Sequence, residues 1–343
     1  MNNNEENQTT FGIILVIGFT IMGPIMDTFA KLAANEIPIG QISFSRFFIQ
    51  SMIIIPIALY LKILYFPSKS EIFLHFSRAF LILTATSLFF GAIKYMPMAD
   101  AIAIFLVNPF IMTFLSYFIL GERVGWRRVI ACIIGFSASL MILKPSLALF
   151  GVVALFPLGT AVTYSFYMII TKYMTKNVHP VSLQAFTGSC AVIIIFPLLL
   201  IFENTSFNEL SLVVPSLNSL FLLMAVGITA TISHLFVVYG LKFSPASTIA
   251  PILYLEIVSA TVLGYFVFSD IPDIFTVIGV LFTELTTELA ISPIRSRFFI
   301  APDPAPFFVT LGTGHPKFIS MISGLKFFSI YLADSPTISG DSP

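Results

Sequence analysis

Glu256 is the residue of this chain whose placement most demands a chemical explanation. It lies between Leu255 and Ile257, ten or more residues from either end of a membrane-length apolar stretch, Tyr239–Asp273. A carboxylate at that depth costs roughly 2.5–3.5 kcal/mol on insertion scales, so it must face protein or a polar cavity rather than lipid. There it could bind a cationic or hydrogen-bonding group of a solute, or a proton. The structural alternative is a buried glutamate held by neighbouring hydroxyls. An earlier stretch, Tyr95–Arg123, repeats the same phrase and sets Asn108 at the matching place. Its amide could hydrogen-bond a solute or a helix backbone.

Further polar groups lie in apolar surroundings. Asp27 precedes Lys31 by four residues, so the two can pair along one helix face, and a coupling site is the other reading of Asp27. Arg46 reads either as a side chain snorkelling to lipid phosphate or as a group that recognises an anion. Tyr164, Tyr167, Tyr239 and Tyr254 offer aromatic faces with hydroxyl handles, suited to a flat aromatic solute. With 38 phenylalanines in the chain, most aromatics must instead face lipid or pack. His234 could relay protons or be a hydrogen-bonded structural histidine. Pro24, after Gly23, should loosen its helix locally, as a hinge or a tolerated kink. The block Glu122–Arg128 reads as topology anchoring and ion pairing.

No phosphate-binding loop, H-E-x-x-H, G-x-S-x-G or cysteine–histidine cluster occurs. ATP drive and enzyme activity are therefore not expected, nor is any cofactor or metal. The two cysteines, Cys132 and Cys190, lie in apolar segments and read as small buried residues. A zero net charge gives no reason to expect nucleic acid.

These groups need a membrane scaffold to position them. The chain is 57% hydrophobic and only 10% charged, with a mean hydropathy of +0.98; that is a polytopic membrane protein. A span needs about 20 mostly apolar residues. Nine segments qualify: Phe11–Ala33, Gln41–Lys62, Leu74–Lys94, Ala99–Ile119, Arg127–Lys144, Phe150–Lys172, Val181–Phe202, Leu217–Leu241 and Ala246–Phe268. A tenth begins at Asp273 and weakens. Backbone groups in lipid must be satisfied internally, which leaves a helical bundle. The polar N-terminus, MNNNEENQTT, has no basic residue and does not read as a signal-peptide n-region, so the first apolar segment is expected to remain as a helix. Connectors carrying Lys62, Lys69, Arg78, Arg123, Arg127, Arg128, Lys172, Lys176 and Lys242 face one side. Lys31, Arg46, Lys94 and Lys144 face the other, so the N-terminus is expected in the cytoplasm.

The halves repeat. Gly18 matches Gly159, Lys31 matches Lys172 and Pro56 matches Pro197 at one offset. After a short insertion Lys94 matches Lys242, Pro97 matches Pro245, Asn108 matches Glu256, and Glu122 matches Asp270. Five helices per half is an odd number, so the second copy enters from the opposite face. Inverted repeats mark secondary transporters, with the solute site near the midplane where the halves meet. The expected fold is an all-α membrane protein, a ten-helix bundle of two inverted five-helix repeats with a degenerate tenth helix. The divisions are a polar segment at 1–10, a first repeat at 11–145, a second at 150–290 and an atypical tail at 291–343.

The repeated phrase is also where a family becomes recognisable. Ala92–Ala101 (AIKYMPMADA) followed by Gly121–Pro145 in the first half, and Tyr239–Pro245, Ala250–Pro251 and Tyr254–Glu256 in the second, resemble the EamA-type branch of the drug/metabolite transporter superfamily. The resemblance covers roughly residues 11–282. It implies an inner-membrane carrier with a central cavity lined mainly by segments 1, 3, 4, 6, 8 and 9. Members include carriers of riboflavin, S-adenosylmethionine and amino acids. The implied partners are a small-molecule solute, membrane lipid and, as an option, a second copy in a homodimer.

After about Phe282 the chain departs from the family pattern: Glu284 and Glu288 arrive, then a Pro/Gly/Ser-rich tail. The hypothesis this raises is an unrelated or frame-altered C-terminus, which sequencing across the codons for Val280–Glu288 checks. A non-functional carrier or a membrane scaffold is the alternative it keeps open. An intramembrane enzyme is a further alternative, one that needs paired acidic or histidine residues at one interface.

Overall fold

The computed structural model describes residues 3–270 apart from Arg123, Asn204 and Ser206. The expected tenth segment and the atypical tail lie outside the described residues. Every described element is helical. The helices are α1 (Asn3–Ala33), α2 (Ile39–Tyr60), α3 (Lys69–Tyr95), α4 (Met98–Phe105), α5 (Asn108–Leu120), α6 (Trp126–Phe150), α7 (Phe156–Met174), α8 (Pro180–Phe202), α9 (Leu217–Phe243), α10 (Ala246–Ile249) and α11 (Glu256–Phe268). Among the described residues, eight runs are long and apolar enough to cross a membrane: seven helices or joined helices up to Phe243, and the composite Ala246–Phe268. The expected segment Arg127–Lys144 falls inside α6.

The fourth and last described spans are each broken in the middle. The first break separates α4 from α5 at Leu106–Val107, and Pro109 follows in the first turn of α5. A proline there has no N–H to give and its ring crowds the carbonyl one turn back, so the helix restarts instead of running through. The second break is a 3₁₀ stretch, Ala250–Leu255, containing Pro251 and joining α10 to α11. Irregular backbone at membrane depth persists only where protein encloses it. Both breaks comply: Ile102–Val107 and Ala250–Tyr254 are buried. Asn108 opens α5 and Glu256 opens α11, so the two matched polar residues sit at equivalent restarts.

The packing exchanges under the repeat. The long α1 packs along α9, as α7 packs along α3, while α2 packs along its own counterpart α8. The two copies also run in opposite senses. Lys31, near the end of α1, reaches the carbonyl of Met96 at the end of α3 (3.5 Å). Lys172, near the end of α7, reaches the carbonyls of Leu241 and Ser244 at the end of α9 (2.7 and 2.8 Å). Ser244 in turn bonds the carbonyl of Thr9, at the start of α1 (2.9 Å). The ends of α1 and α7 therefore lie at opposite ends of the bundle, about 33 Å apart at the 1.5 Å rise of a helix over the stretch from Thr9 to Lys31.

Small residues let these helices close. A Cβ added to Gly227 of α9 would press on Ile49 of α2, and one on Gly188 of α8 would press on Ser51. Gly227→Val is therefore expected to force α2 from α9 and destabilise the bundle by about 1–3 kcal/mol. Thermal unfolding in detergent reads this. An unchanged midpoint would show that the contact yields.

At the end of the bundle where α1 terminates, a connector is pinned by charge. Glu209 accepts from Lys94 Nζ (2.7 Å), the Tyr95 hydroxyl (2.8 Å) and the Ile39 amide (3.3 Å). Burial pushes its pKa up, but these donors outweigh that and the net shift is down. Glu36 accepts from Ser216 (3.0 Å) and from Ser219, which lowers its pKa. Such caps fix where α2 and α9 begin.

Candidate functional site

Between the two broken spans and helices α1, α2, α3, α7 and α9 lies a cavity of about 60 Å³. That volume holds a few water molecules. Its polar lining comes from separate elements: Asp27 from α1, Arg46 from α2, Thr86 from α3, Thr160 and Tyr164 from α7, His234 from α9 and Glu256 from α11. The apolar wall is largely aromatic, with Phe19, Phe89, Phe90 and Phe105.

Each polar position has a local reason. Asp27 follows Pro24 by three residues, and Thr28 occupies the carbonyl of Pro24 (2.8 Å). Glu256 stands at the restart after the 3₁₀ stretch, against Gly23, where a Cβ would meet its Oε1 at 3.0 Å. Glycine at 23 thus makes room for the carboxylate. Arg46 is 1% exposed, stacks on Phe47 with its guanidinium carbon 4.6 Å from the ring, and donates to Thr86 and to Nε2 of His234. A guanidinium can only donate, so Nε2 accepts and the His234 ring is neutral with its proton on Nδ1. Tyr164 meets Phe105 and His234 edge-on, with ring centroids 5.6 and 6.3 Å apart.

Two expectations from the sequence change here. Asp27 does not pair with Lys31. Four-residue spacing puts them on one face, but Lys31 sits at the bundle end, where Asp270 (3.1 Å) and the Phe268 ring (4.4 Å) take it. Asp27 stays in the cavity and feels Arg46. Arg46 does not snorkel; its face of α2 turns inward, onto Thr86 and His234.

Of the other proposed site residues, Asn108 is buried one layer out, its Oδ1 accepting from Ser165 (2.7 Å). Tyr167 also lies one layer out, its ring 5.6 Å from that of Tyr164. Tyr254 donates to the carbonyl of Cys132 in α6 (3.3 Å). Tyr239 is near the end of α9, stacked on Phe243 and edge-on to His179. Neither Tyr254 nor Tyr239 lines the cavity.

Arg78, expected in a connector, is a buried cation inside α3. It is fully enclosed, donating to Thr171 (3.0 Å) and the carbonyl of Leu183 (3.2 Å) and stacked 5.3 Å over Tyr167. Its nine-residue distance from the helix start at Lys69 is the signal in the sequence that points inward. Glu122 is a structural residue as well. Its two oxygens accept from the amides of Ala246 and Ser247 (both 2.9 Å), fixing the start of the second broken span.

Asp27 Oδ1, Arg46 Nε, the Tyr164 hydroxyl and Glu256 Oε2 are all buried without a hydrogen-bond partner. Buried polar atoms are normally satisfied; these four lie around one cavity, and six further unpartnered atoms, on His75, Arg78, Asn108, Tyr167, Ser233 and Thr261, lie outside its lining.

The model of the EamA-like transporter family matches residues 10–144 and again residues 150–287. An S-adenosylmethionine uptake transporter of Rickettsia prowazekii is 24% identical over 273 residues, 78% of this chain and 88% of that protein. A pseudopaline exporter of Pseudomonas aeruginosa is 23% identical over 270 residues, 78% and 91% of the two chains. A riboflavin transporter of Vibrio cholerae is 23% identical over 256 residues, 72% and 82%. One solved crystal structure superposes with a TM-score of 0.63 over 87% of this chain and 99% of its own, at 16% identity; that likeness shows the fold.

Proposed function

The chain belongs to the EamA-like transporter family, and on that premise we propose that it is a secondary carrier working by alternating access in the inner membrane, with its N-terminus in the cytoplasm. It is a multi-pass membrane protein, and its relatives are transporters of small metabolites rather than enzymes. The candidate solutes are S-adenosylmethionine, riboflavin and aromatic amino acids. Asp27, Tyr164 and Glu256 would contact the solute directly. Asn108 and Tyr167, one layer out, would hold the walls.

The observation that carries this reading is the small, aromatic-walled cavity with unpartnered polar atoms at the junction of two broken helices. A cavity this small reads as an occluded state. Solute would enter when α3–α5 and α9–α11 rock against their partners and open one end. Asp27 and Glu256 are the carboxylates available there for proton coupling.

Uptake by purified protein in vesicles, tested with the three labelled solutes, decides the matter. Time-dependent accumulation of at least one is expected. Glu256→Gln should cut that flux by about tenfold, the value of one lost 1.4 kcal/mol interaction. No flux with any of the three counts against a carrier and for a membrane scaffold. Flux unchanged in Glu256→Gln would remove that residue from the site and leave the carrier standing.

A further inference from the structure

One face of α3 carries a polar line out of the cavity. Ile82 and Ala85 line the cavity. Arg78, His75 and Glu71 continue that face toward the helix start at spacings of four, three and four residues. From Ile82 to Glu71 the line rises about 16 Å at 1.5 Å per residue. Opposite stands Tyr164, which lines the cavity, and beyond it Tyr167, with ring centroids 5.6 Å apart. Arg78 stacks over Tyr167 (5.3 Å) and donates to Thr171 (3.0 Å). His75 Nε2 meets the Tyr65 hydroxyl at 3.0 Å. Tyr65 and Glu71, with Asn177 and His179, then line a surface pocket of about 340 Å³ between the α2–α3 and α7–α8 connectors. The line thus leads from the cavity to the end of the bundle where α7 terminates. Two atoms along it, Arg78 Nη2 and His75 Nδ1, are buried without a hydrogen-bond partner.

The repeat does not copy this line. α3 and α9 align with Ser68 against Ser216, each an N-cap that accepts from the amide three residues on. On that register His75 matches Leu223 and Arg78 matches Val226. On the register of Lys31 with Lys172, Tyr167 matches Met26 and Thr171 matches Ala30. All four mates are apolar and buried. The second copy therefore packs without polar groups at these places, so packing alone does not call for a guanidinium in the first. Arginine keeps its charge in proteins. The groups that act on Arg78 are Tyr167, Cys190 and Tyr65, none of them a carboxylate. A fixed cation beside a narrow polar passage attracts anions and repels cations. We propose that Arg78 is an anion-attracting station on the route between the cavity and the face of the membrane where α7 ends, with the pocket at Tyr65 and Glu71 as its mouth. This deepens the carrier reading above and rests on it. A solute passes this side more readily when it presents a carboxylate or another anionic group, and the opposite side has no such filter.

Two thiol reagents of similar size and opposite charge test this: sulfonatoethyl and trimethylammonioethyl methanethiosulfonate. The target is Ala85→Cys in the full-length chain with Cys132 and Cys190 replaced, in vesicles of both orientations. Each rate is divided by the reagent's rate with a free thiol. Labelling of the exposed Lys176→Cys identifies the face where α7 ends. From that face the preference for the anionic reagent should be at least tenfold greater than from the opposite face. Arg78→Met should reduce the difference between faces to less than threefold, and Arg78→Lys, which keeps the charge, should retain it. A purely structural arginine would not change the ratio of the two reagents. The comparison of faces in the chain with Arg78 intact decides even where an Arg78 variant does not fold. Equal preference from both faces would overturn the proposal and leave the carrier reading in place, as would an unchanged difference in a folded Arg78→Met. Labelling from neither face would overturn both.

Discussion

Arg46→Met is expected to lower the unfolding free energy by about 3–5 kcal/mol and to abolish uptake, because it takes from the buried Asp27 the cation that faces it and leaves Thr86 and His234 without their donor. The guanidinium of Arg46 faces Asp27 electrostatically and shares the cavity with Glu256. Methionine fills the same stem volume but returns no charge, so the loss is electrostatic. Adding Asp27→Asn should then restore part of the stability, with a coupling of about 0.5–3 kcal/mol, as expected for residues in one network. Uptake should stay absent in the double variant. Arg78→Met makes the control. Its partners keep other bonds, since the Leu183 carbonyl also accepts from Thr187 (2.7 Å) and the Thr171 hydroxyl donates to the Tyr167 carbonyl (2.6 Å). Among the described residues the groups that act on Arg78 are Tyr167, Cys190 and Tyr65, none of them a carboxylate, so exchange for an apolar side chain of similar length should be close to neutral. Denaturant unfolding of the three variants in detergent separates these cases. If Arg46→Met were as mild as Arg78→Met, Arg46 would not be the counter-charge of the cavity.

The contrast between the two arginines shows what was legible in the sequence. Apolar runs of membrane length located the spans, because the cost of exposing backbone to lipid leaves the chain few choices. Depth located Glu256, and the repeat located Asn108 at the equivalent restart. Direction around a helix was harder to read. In α2 the signal is short: only Ser43 and Gln50, three before and four after Arg46, share its face and are buried with it, and beyond Ser51 the helix is apolar all round. The inward direction comes from Thr86 of α3 and His234 of α9, which are 40 and 188 residues away in sequence. Lys31 misled for a related reason. Asp27 was a correct neighbour along α1, but Asp270 arrives from the far end of the chain and takes the pairing. Tyr239 and Tyr254 qualified by residue type alone, and their surroundings are Phe243 with His179 and the Cys132 carbonyl.

That far pairing has a counterpart, and together they make the second large prediction. At the end where α1 terminates, Lys31 bridges Asp270, the Phe268 ring and the Met96 carbonyl. At the other end Lys172 bridges the Leu241 and Ser244 carbonyls, with Glu122 in electrostatic reach. Lys31 corresponds to Lys172, Met96 to Ser244 and Asp270 to Glu122 under the repeat. An exposed ion pair alone contributes little, about 0–1 kcal/mol. These side chains are partly buried, at 17% and 27% exposure for Lys31 and Asp270, and each lysine makes several bonds at once. On the alternating-access reading the two clusters latch opposite ends of one cavity, so opening either end requires breaking its own cluster. Asp270→Asn should then favour opening at the end of α1, and Glu122→Gln opening at the end of α7. A shift of about 1.4 kcal/mol in each is tenfold in population, which makes about a hundredfold difference between the variants. A cysteine replacing the cavity residue Ala85, in a chain whose Cys132 and Cys190 are replaced, reports it through a thiol reagent that cannot cross the bilayer. Labelling should rise from one side in the first variant and from the opposite side in the second, while net flux falls in both. Labelling that rises from the same side in both variants would show that the clusters do not alternate, and the mirrored lysines would then be anchors of helix ends alone.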